Sequence, residues 1–320
     1  MEINNILVVM PAYAEHEQQI QMAAPGANVI KVKPENLTAE LVEQADVIVG
    51  NLPTVFLTHM KQAKLLQLNT AGVAAPYLAL KDSHPDIALC CASGAYGPAI
   101  SEHMVGMLLS LMKQLHRYRD DQHEAAWIDR GEVRSIRDSK VLVVGLGDIG
   151  LCFARLCAAF GAEVIGIKRR AGVPPEGVSR MATMAEFDSL LPWADVVALS
   201  LPETPDTIHL MDSRRLALMK AGGFLLNVGR GSAIDQEALL AALRSGHLAG
   251  AGLDVTDPEP LPKDHLLWQE PNLLLTPHIS GQYHLRLTLD LVIDIACKNI
   301  KALPDGPFIS RVDFESGYRE

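Results

Sequence analysis

Residues 140–170 read KVLVVGLGDIGLCFARLCAAFGAEVIGIKRR. A valine- and leucine-rich run suited to a buried strand comes first. It turns on Gly145, Gly147 and Gly150, continues through a segment with apolar residues at helical spacing, and returns to a second apolar run, EVIGI at 163–167. Strand, glycine turn, helix and strand in that order form a βαβ unit, and a GxGxxG that opens its helix is the fingerprint of a dinucleotide site. The first glycine makes the tight turn, the second lets a pyrophosphate approach the backbone, and the third lets helix and strand pack closely. Asp148 and Ile149 begin the helix, whose first amides lack an intrahelical acceptor and are free to meet phosphate.

At the end of the second strand such a site usually carries an acid that accepts the ribose hydroxyls of NAD. Lys168, Arg169 and Arg170 stand there instead. Cations repel nothing on a 2′-phosphate, and an arginine binds phosphate through two parallel hydrogen bonds. The triplet therefore predicts NADP as the preferred cofactor, with NAD possible.

Working outward, the alternation of strand-like and helical runs fills the chain. ILVV (6–9), NVIKV (28–32), DVIVG (46–50), LLQLN (65–69) and IALCC (87–91) read as buried parallel strands ahead of the glycine turn. A long helical stretch follows at 100–121, with Ser101 as its expected N-cap, and a polar irregular stretch at 122–139. After EVIGI come DVVALSL (195–201), GFLLNVG (223–229), AGAGLDV (249–255) and NLLLTP (272–277), and an amphipathic helix at 285–303 closes the pattern. The fold class is α/β: two Rossmann-like domains with parallel sheets, the first flavodoxin-like. The expected boundaries are 1–100 with 287–320 for the first domain and 101–286 for the dinucleotide-binding domain.

Bulk properties narrow the function. The 320 residues carry a formal net charge of -10, so the basic triplet is local and neither nucleic acid nor an anionic membrane is an expected partner. The N-terminal MEINNILVVM has no basic region before its apolar run, and MVGMLLSLM (104–112) is too short to span a bilayer. The five cysteines are odd in number, no spacing fits a zinc site, and no HExxH metal motif occurs, so no metal is expected and the thiols read as small hydrophobes of a cytoplasmic protein. His116 and His123 read as solvated surface residues.

LLNVGRGSAID (225–235), AGLDVTDPEPL (251–261) and LLTPHISG (274–281) lie at the ends of later strands, where ligands of open α/β sheets bind. With NTAGV (69–73), the ISEH helix start, LPETPDTIHLM (201–211) and the closing FISRVDFESGY (308–318), these motifs make the chain resemble the D-isomer-specific 2-hydroxyacid dehydrogenase family over nearly its whole length. The resemblance implies an active site in the cleft between two domains. It implies that Arg230 holds the substrate carboxylate, that His278 is the general acid of reduction, that Glu259 pairs with it, and that the Ala71 and Gly72 amides hold the carboxylate from the first domain. It further implies cofactor contacts at Leu201, Pro202, Thr207, Val228, Gly229, Asp254, His278, Ser280 and Gly281. The chemistry needs these residue types on its own account. Hydride arriving at a 2-oxo carbon makes an alkoxide that a donor working near neutral pH must protonate, and an arginine fork matches an α-keto acid carboxylate.

Departures from the family pattern refine the expectation. The acid at 168 is replaced by lysine, and NTAGVAAP lacks the Asp that often follows the GV pair. GNLPT (50–54) offers Asn51 rather than a large cation to the substrate, which argues against a phosphorylated one. HEAAW (123–127) resembles the arm through which family members form homodimers, with Trp127 in reach of the partner's cleft. The expected activity is reduction of a small 2-oxo acid, glyoxylate- or hydroxypyruvate-like, to the D-2-hydroxy acid with NADPH. The rivals are an NAD-linked dehydrogenase of another 2-hydroxy acid such as phosphoglycerate, and a nucleotide-sensing, corepressor-like binding protein of the same fold.

Overall fold

Five short apolar runs, β1 (Asn5–Val8), β2 (Asn28–Lys31), β3 (Val47–Val49), β4 (Leu65–Gln67) and β5 (Ala88–Cys90), pair in parallel in the order β2-β1-β3-β4-β5. The structure is a computed structural model and describes residues 2–170 and 172–315. β1, β3, β4 and β5 are almost wholly buried, which is why they read as continuous Val, Ile and Leu. β2, expected to be buried as well, is an edge strand with exposed ends, and its Asn28 and Lys31 face solvent. The sheet belongs to a compact unit made of the residues up to Tyr96 and those from Tyr283 onward.

The final helix, Arg286–Lys301, packs in that unit against the helix Ala14–Ala23 and against β4. Its apolar face supplies Leu289, Val292, Ile293, Ala296 and Ile300 to the core. Buried Asn299 donates to Gln67 Oε1 at 2.7 Å and accepts from the Ile309 amide at 2.6 Å, so the segment after the helix is held beside β4 and β5. Val312 then donates to the Leu89 carbonyl. Ser316, Gly317 and Tyr318, the end of the FISRVDFESGY motif, lie outside the described residues.

The second unit, Gly97–Gln282, holds seven parallel strands. They are β6 (Lys140–Val144), β7 (Glu163–Ile167), β8 (Arg180–Ala182), β9 (Val196–Leu199), β10 (Gly223–Asn227), β11 (Leu248–Leu253) and β12 (Leu273–Leu275), in the order β12-β11-β10-β9-β6-β7-β8. The order reverses between β6 and β9, and ligands of doubly wound sheets bind outside the strand ends at such a switch point. β8 has no strand signature in the sequence. It is three residues long and sits at the edge.

The expected helix at 100–121 is two helices, Gly97–Met112 and Leu115–His123. Gln114 takes the left-handed conformation (φ 55) between them and redirects the chain. Ser101 is not the N-cap. It is buried inside the first helix, and its hydroxyl donates to the Pro98 carbonyl. Nor is His116 a solvated side chain: its Nδ1 bonds the Ser110 carbonyl and its Nε2 is buried without a partner among the described residues. None of the five cysteines is in a disulfide, and burial pushes Cys157 up to about 12 and Cys297 up to about 11, so both thiols stay protonated as packing groups. No described helix is long and apolar enough to cross a membrane.

Candidate active site

All strands of the second sheet run the same way, so every segment that leaves a strand's carboxyl end emerges at one edge. The glycine turn leaves β6 there, and the protein itself explains two of its glycines. A Cβ on Gly145 (φ +96) would meet the Ser200 carbonyl oxygen at 2.7 Å, and one on Gly150 would meet the Gly145 carbonyl oxygen at 2.2 Å. Gly147 is different: a Cβ there would meet no described atom within 4 Å. Its φ of -87 is one that any residue adopts, so the fold itself does not require glycine at 147. A ligand lying against that backbone would require it, and a pyrophosphate fits that role. The helix Asp148–Ala159 begins beside it with its first amides unsatisfied by the helix. Asp148 accepts from the Gly97 amide at 2.9 Å and so ties the helix Gly97–Met112 to this turn.

Lys168, Arg169 and Arg170 follow β7 at the same edge, and all three are exposed. Among the described residues neither Lys168 nor Arg170 forms an ion pair. These residues fit an additional phosphate on the cofactor, and no carboxylate in the stretch would oppose it.

The segment after β9 is braced from within. Thr207 Oγ1 donates to the Pro202 carbonyl and accepts from the Thr204 amide at 2.8 Å, and Ser232 Oγ donates to Glu203 at 2.6 Å. The segment after β10 is clamped on both sides. A Cβ on Gly229, which follows buried Val228, would strike the Leu201 carbonyl oxygen at 2.5 Å, and one on Gly231 would strike the Thr256 carbonyl at 2.0 Å. Arg230 sits between these two glycines. Buried Asn227 holds it, donating to the Arg230 carbonyl at 2.8 Å and accepting from the Gly229 amide at 3.0 Å. The guanidinium is exposed, and Nη1 donates to the neighbouring Gly229 carbonyl at 2.8 Å. No carboxylate among the described residues pairs with it, so a carboxylate ligand has an open partner there.

His278 and Glu259 meet. His278 Nδ1 lies 2.8 Å from Glu259 Oε2, and Glu259 Oε1 accepts from the Thr256 amide at 3.1 Å. The other ring nitrogen, Nε2, has no partner among the described residues. The histidine backbone is left-handed (φ 52). That conformation is uncommon outside glycine, and Asp254 supports it. The Asp254 carboxylate, 1% exposed, accepts from Thr276 Oγ1 at 2.5 Å, from the Ile279 and Ser280 amides at 3.0 Å each, and from Ser280 Oγ. Its own carbonyl accepts from the His278 amide at 2.8 Å. Asp254 and Ser280, expected beside the cofactor, therefore have their polar atoms occupied by the histidine turn, which ends at half-buried Gly281. His103, from the ISEH motif, adds a contact to Thr276 Oγ1 at 3.0 Å. Asn227, Gly231, Thr276 and His103 were not singled out from the sequence, although each lies in or beside a motif that was.

In the first unit, the loop after β4 carries Ala71 and Gly72. Neither amide donates a hydrogen bond among the described residues. Asn51 is occupied by this loop: its amide donates to Asn69 Oδ1 at 2.7 Å, its Oδ1 accepts from the Asn69 amide at 3.1 Å, and its Nδ2 reaches Thr70 Oγ1 at 3.3 Å. Asn51 thus shapes the loop. Buried Tyr96 donates to the Asn69 carbonyl, and its burial, with Tyr283 close by, pushes the phenol above the usual range, so it remains a donor. Among the described residues, no group of three or more His, Cys, Asp or Glu is arranged to hold a metal ion.

The edge of the second sheet brings a glycine turn that fits a dinucleotide into the same unit as a histidine–glutamate pair, the equipment of an NAD(P)-dependent oxidoreductase. The model of the D-isomer-specific 2-hydroxyacid dehydrogenase NAD-binding domain matches residues 105–280, and the chain belongs to that family. A D-isomer-specific 2-hydroxyacid dehydrogenase family protein from Aeromonas salmonicida superposes with a TM-score of 0.83 at 31% identity, covering 98% of this chain and 100% of that one. The NADPH-dependent glyoxylate/hydroxypyruvate reductase of Sinorhizobium meliloti, solved with NADP and sulfate, superposes with a TM-score of 0.80 at 26% identity, covering 98% and 100%. A glyoxylate reductase/hydroxypyruvate reductase of Mus musculus is 32% identical over 246 residues, 75% of this chain and 74% of its own length.

Proposed function

We propose that the protein reduces a small 2-oxo acid of the glyoxylate or hydroxypyruvate kind to the D-2-hydroxy acid and prefers NADPH. The observation that carries this reading is the His278–Glu259 pair at 2.8 Å, in the same unit as Arg230; among the described residues His278 Nε2 has no partner and Arg230 no carboxylate. When bound, the nicotinamide supplies a hydride to the C2 carbon. His278 Nε2 supplies the proton that converts the carbonyl oxygen to a hydroxyl. Glu259, on the opposite ring nitrogen, stabilises the imidazolium before transfer and fixes the ring's orientation. Arg230 takes the carboxylate through its fork and thereby orients the carbonyl. In the first unit, the Ala71 and Gly72 amides have a carboxylate as their ligand on this reading, and Asn51 shapes the loop that presents them. The NADPH preference rests on Lys168, Arg169 and Arg170 and is supported by the NADP bound in the Sinorhizobium meliloti relative.

The same reading makes the protein a cytoplasmic homodimer joined through its cofactor-binding unit. Trp127 is 104% exposed, and Ile128 and Val133 beside it are about half exposed, an apolar segment suited to meeting a second copy. The test of function is a panel of 2-oxo acids, glyoxylate, hydroxypyruvate, pyruvate and phosphohydroxypyruvate, assayed with NADPH and with NADH by loss of absorbance of the reduced cofactor. The expected result is the highest kcat/KM for glyoxylate or hydroxypyruvate with NADPH. Preference for the phosphorylated acid with NADH would overturn the assignment. So would binding of NADPH with no turnover of any acid, the behaviour of a sensing protein.

A further inference from the structure

Tyr283 is the first residue of the chain on its return to the first unit. It belongs to none of the motifs discussed above. The half-buried phenol oxygen accepts from Asn69 Nδ2 and donates to the Asn69 carbonyl at 3.3 Å. Asn69 Oδ1, the other end of the same side-chain amide, accepts from the Asn51 amide at 2.7 Å. Asn51 Oδ1 accepts from the Asn69 backbone amide, and Asn51 Nδ2 reaches Thr70 Oγ1 at 3.3 Å. Thr70 Oγ1 donates to the Gly72 carbonyl at 2.8 Å. An unbroken polar chain therefore runs from the Tyr283 hydroxyl, through two asparagine side chains and a threonine, to the peptide group that follows Gly72.

That chain ends at the Gly72 carbonyl, in the same short loop as the Ala71 and Gly72 amides, which have no acceptor among the described residues. We propose that Tyr283 is a positioning residue for substrate. By fixing which way the Asn69 amide faces, it sets the orientation in which Ala71 and Gly72 present their N–H groups to the carboxylate of the 2-oxo acid. This inference rests on the functional reading above. The physical reason lies in the asymmetry of an amide side chain. With the phenol in place, Nδ2 has its acceptor and Oδ1 faces Asn51. Without it, a donor in a half-buried site loses its partner, and rotating the amide to recover one takes Oδ1 away from the Asn51 backbone. Thr70 and Gly72 then lose their fixed geometry, while the sheet beneath the loop is untouched.

Tyr96 supplies the control. Its hydroxyl donates to the same Asn69 carbonyl but makes no contact with the Asn69 side-chain amide among the described residues. Tyr96→Phe thus removes a phenol hydrogen bond to the Asn69 carbonyl and the contact of that phenol with Tyr283, whereas only Tyr283→Phe removes the acceptor of Asn69 Nδ2 and breaks the chain. The experiment is steady-state kinetics of both variants with glyoxylate and NADPH, alongside thermal melting and NADPH titration. Tyr283→Phe is expected to raise KM for the 2-oxo acid about fivefold, with kcat and NADPH affinity within about twofold of wild type. Tyr96→Phe is expected to leave that KM unchanged, whatever it does to the melting temperature. Equal KM shifts in both variants, or none in Tyr283→Phe, would overturn the inference while leaving the functional reading standing. A wild-type protein that reduces none of the 2-oxo acids overturns the functional reading and this inference with it.

Discussion

The two functional ends of the second unit are built in opposite ways. At the end of β12, His278 rests on a dense polar scaffold: Asp254 accepts four hydrogen bonds in a buried site, Glu259 bonds both the histidine and the Thr256 amide, and His103 holds Thr276. After the end of β7, Lys168, Arg169 and Arg170 are exposed. Proton transfer fails when donor and acceptor are misplaced by an ångström, so the histidine must be locked by its surroundings. Attraction of a phosphate by exposed cations tolerates movement, because Coulomb interaction falls slowly with distance and long side chains can follow the charge. The difference teaches where substitution acts: on chemistry and stability at the first region, on affinity alone at the second.

The largest break is expected at the histidine. Removing a general acid costs about 10²–10⁴ in rate, so His278→Ala should lose about 10³ in kcat while NADPH binding, followed by fluorescence titration, stays near wild type. An alanine variant that keeps a tenth of wild-type kcat would show that the proton comes from elsewhere. Next is the scaffold. Asp254→Ala leaves two amides and two hydroxyls of the histidine turn without their acceptor, and a loss of about 2–4 kcal/mol of stability is expected. Urea melts should register it together with a fall in kcat. A variant of wild-type stability would mean that the turn holds itself.

The two glycines of the turn carry the comparison into a single motif. Gly150→Ala puts a methyl 2.2 Å from a carbonyl oxygen, so the melting temperature should fall. Gly147→Ala meets open space, so stability should be unchanged. With cofactor bound the same methyl intrudes on the ligand, and overpacking costs about 1–3 kcal/mol, which weakens NADPH about 30-fold. Equal melting behaviour of both variants would remove the distinction between a glycine kept for the fold and one kept for the ligand.

What could be read from the sequence follows the same division. The glycine turn, the basic triplet and most of the strands are local patterns, each carried by a few consecutive residues with a period or a turn signal. Arg230 and His278 could be named as candidates because they sit in short motifs at strand ends. The scaffold was not legible, because its partners are far apart along the chain: Asp254 and Ser280 are joined across 26 residues, and Tyr283 and Asn69 across 214. Nothing local marks Asp254 as a turn-former rather than a ligand. Gln114 breaks a helix in a left-handed conformation without the glycine that would have announced it, and β8 is an edge strand too short to show a pattern. His116 was expected in solvent because its helix is polar, but the ring turns inward.

The smallest effects belong to the basic triplet, and they are the most specific. Arg169→Ala should weaken NADPH about tenfold, in line with a charge-assisted hydrogen bond to phosphate, and should leave NADH almost unchanged, because only NADPH carries the 2′-phosphate. Lys168→Asp should go further, since it removes a cation and adds a carboxylate that opposes the phosphate and can accept ribose hydroxyls. Both variants should melt like wild type, because all three side chains are exposed and add nothing to the core. The kcat for the 2-oxo acid should hold too, since the change acts on binding and leaves His278 in place. Salt provides a second readout. The wild-type affinity for NADPH should weaken as ionic strength rises, because exposed charges are screened within about 10 Å at 0.1 M, and that dependence should shrink in each variant as cations are removed. If wild-type protein binds NADH as tightly as NADPH at moderate salt, the triplet is a solvated basic turn, and the contrast between a locked catalytic end and an electrostatic cofactor end fails at this point.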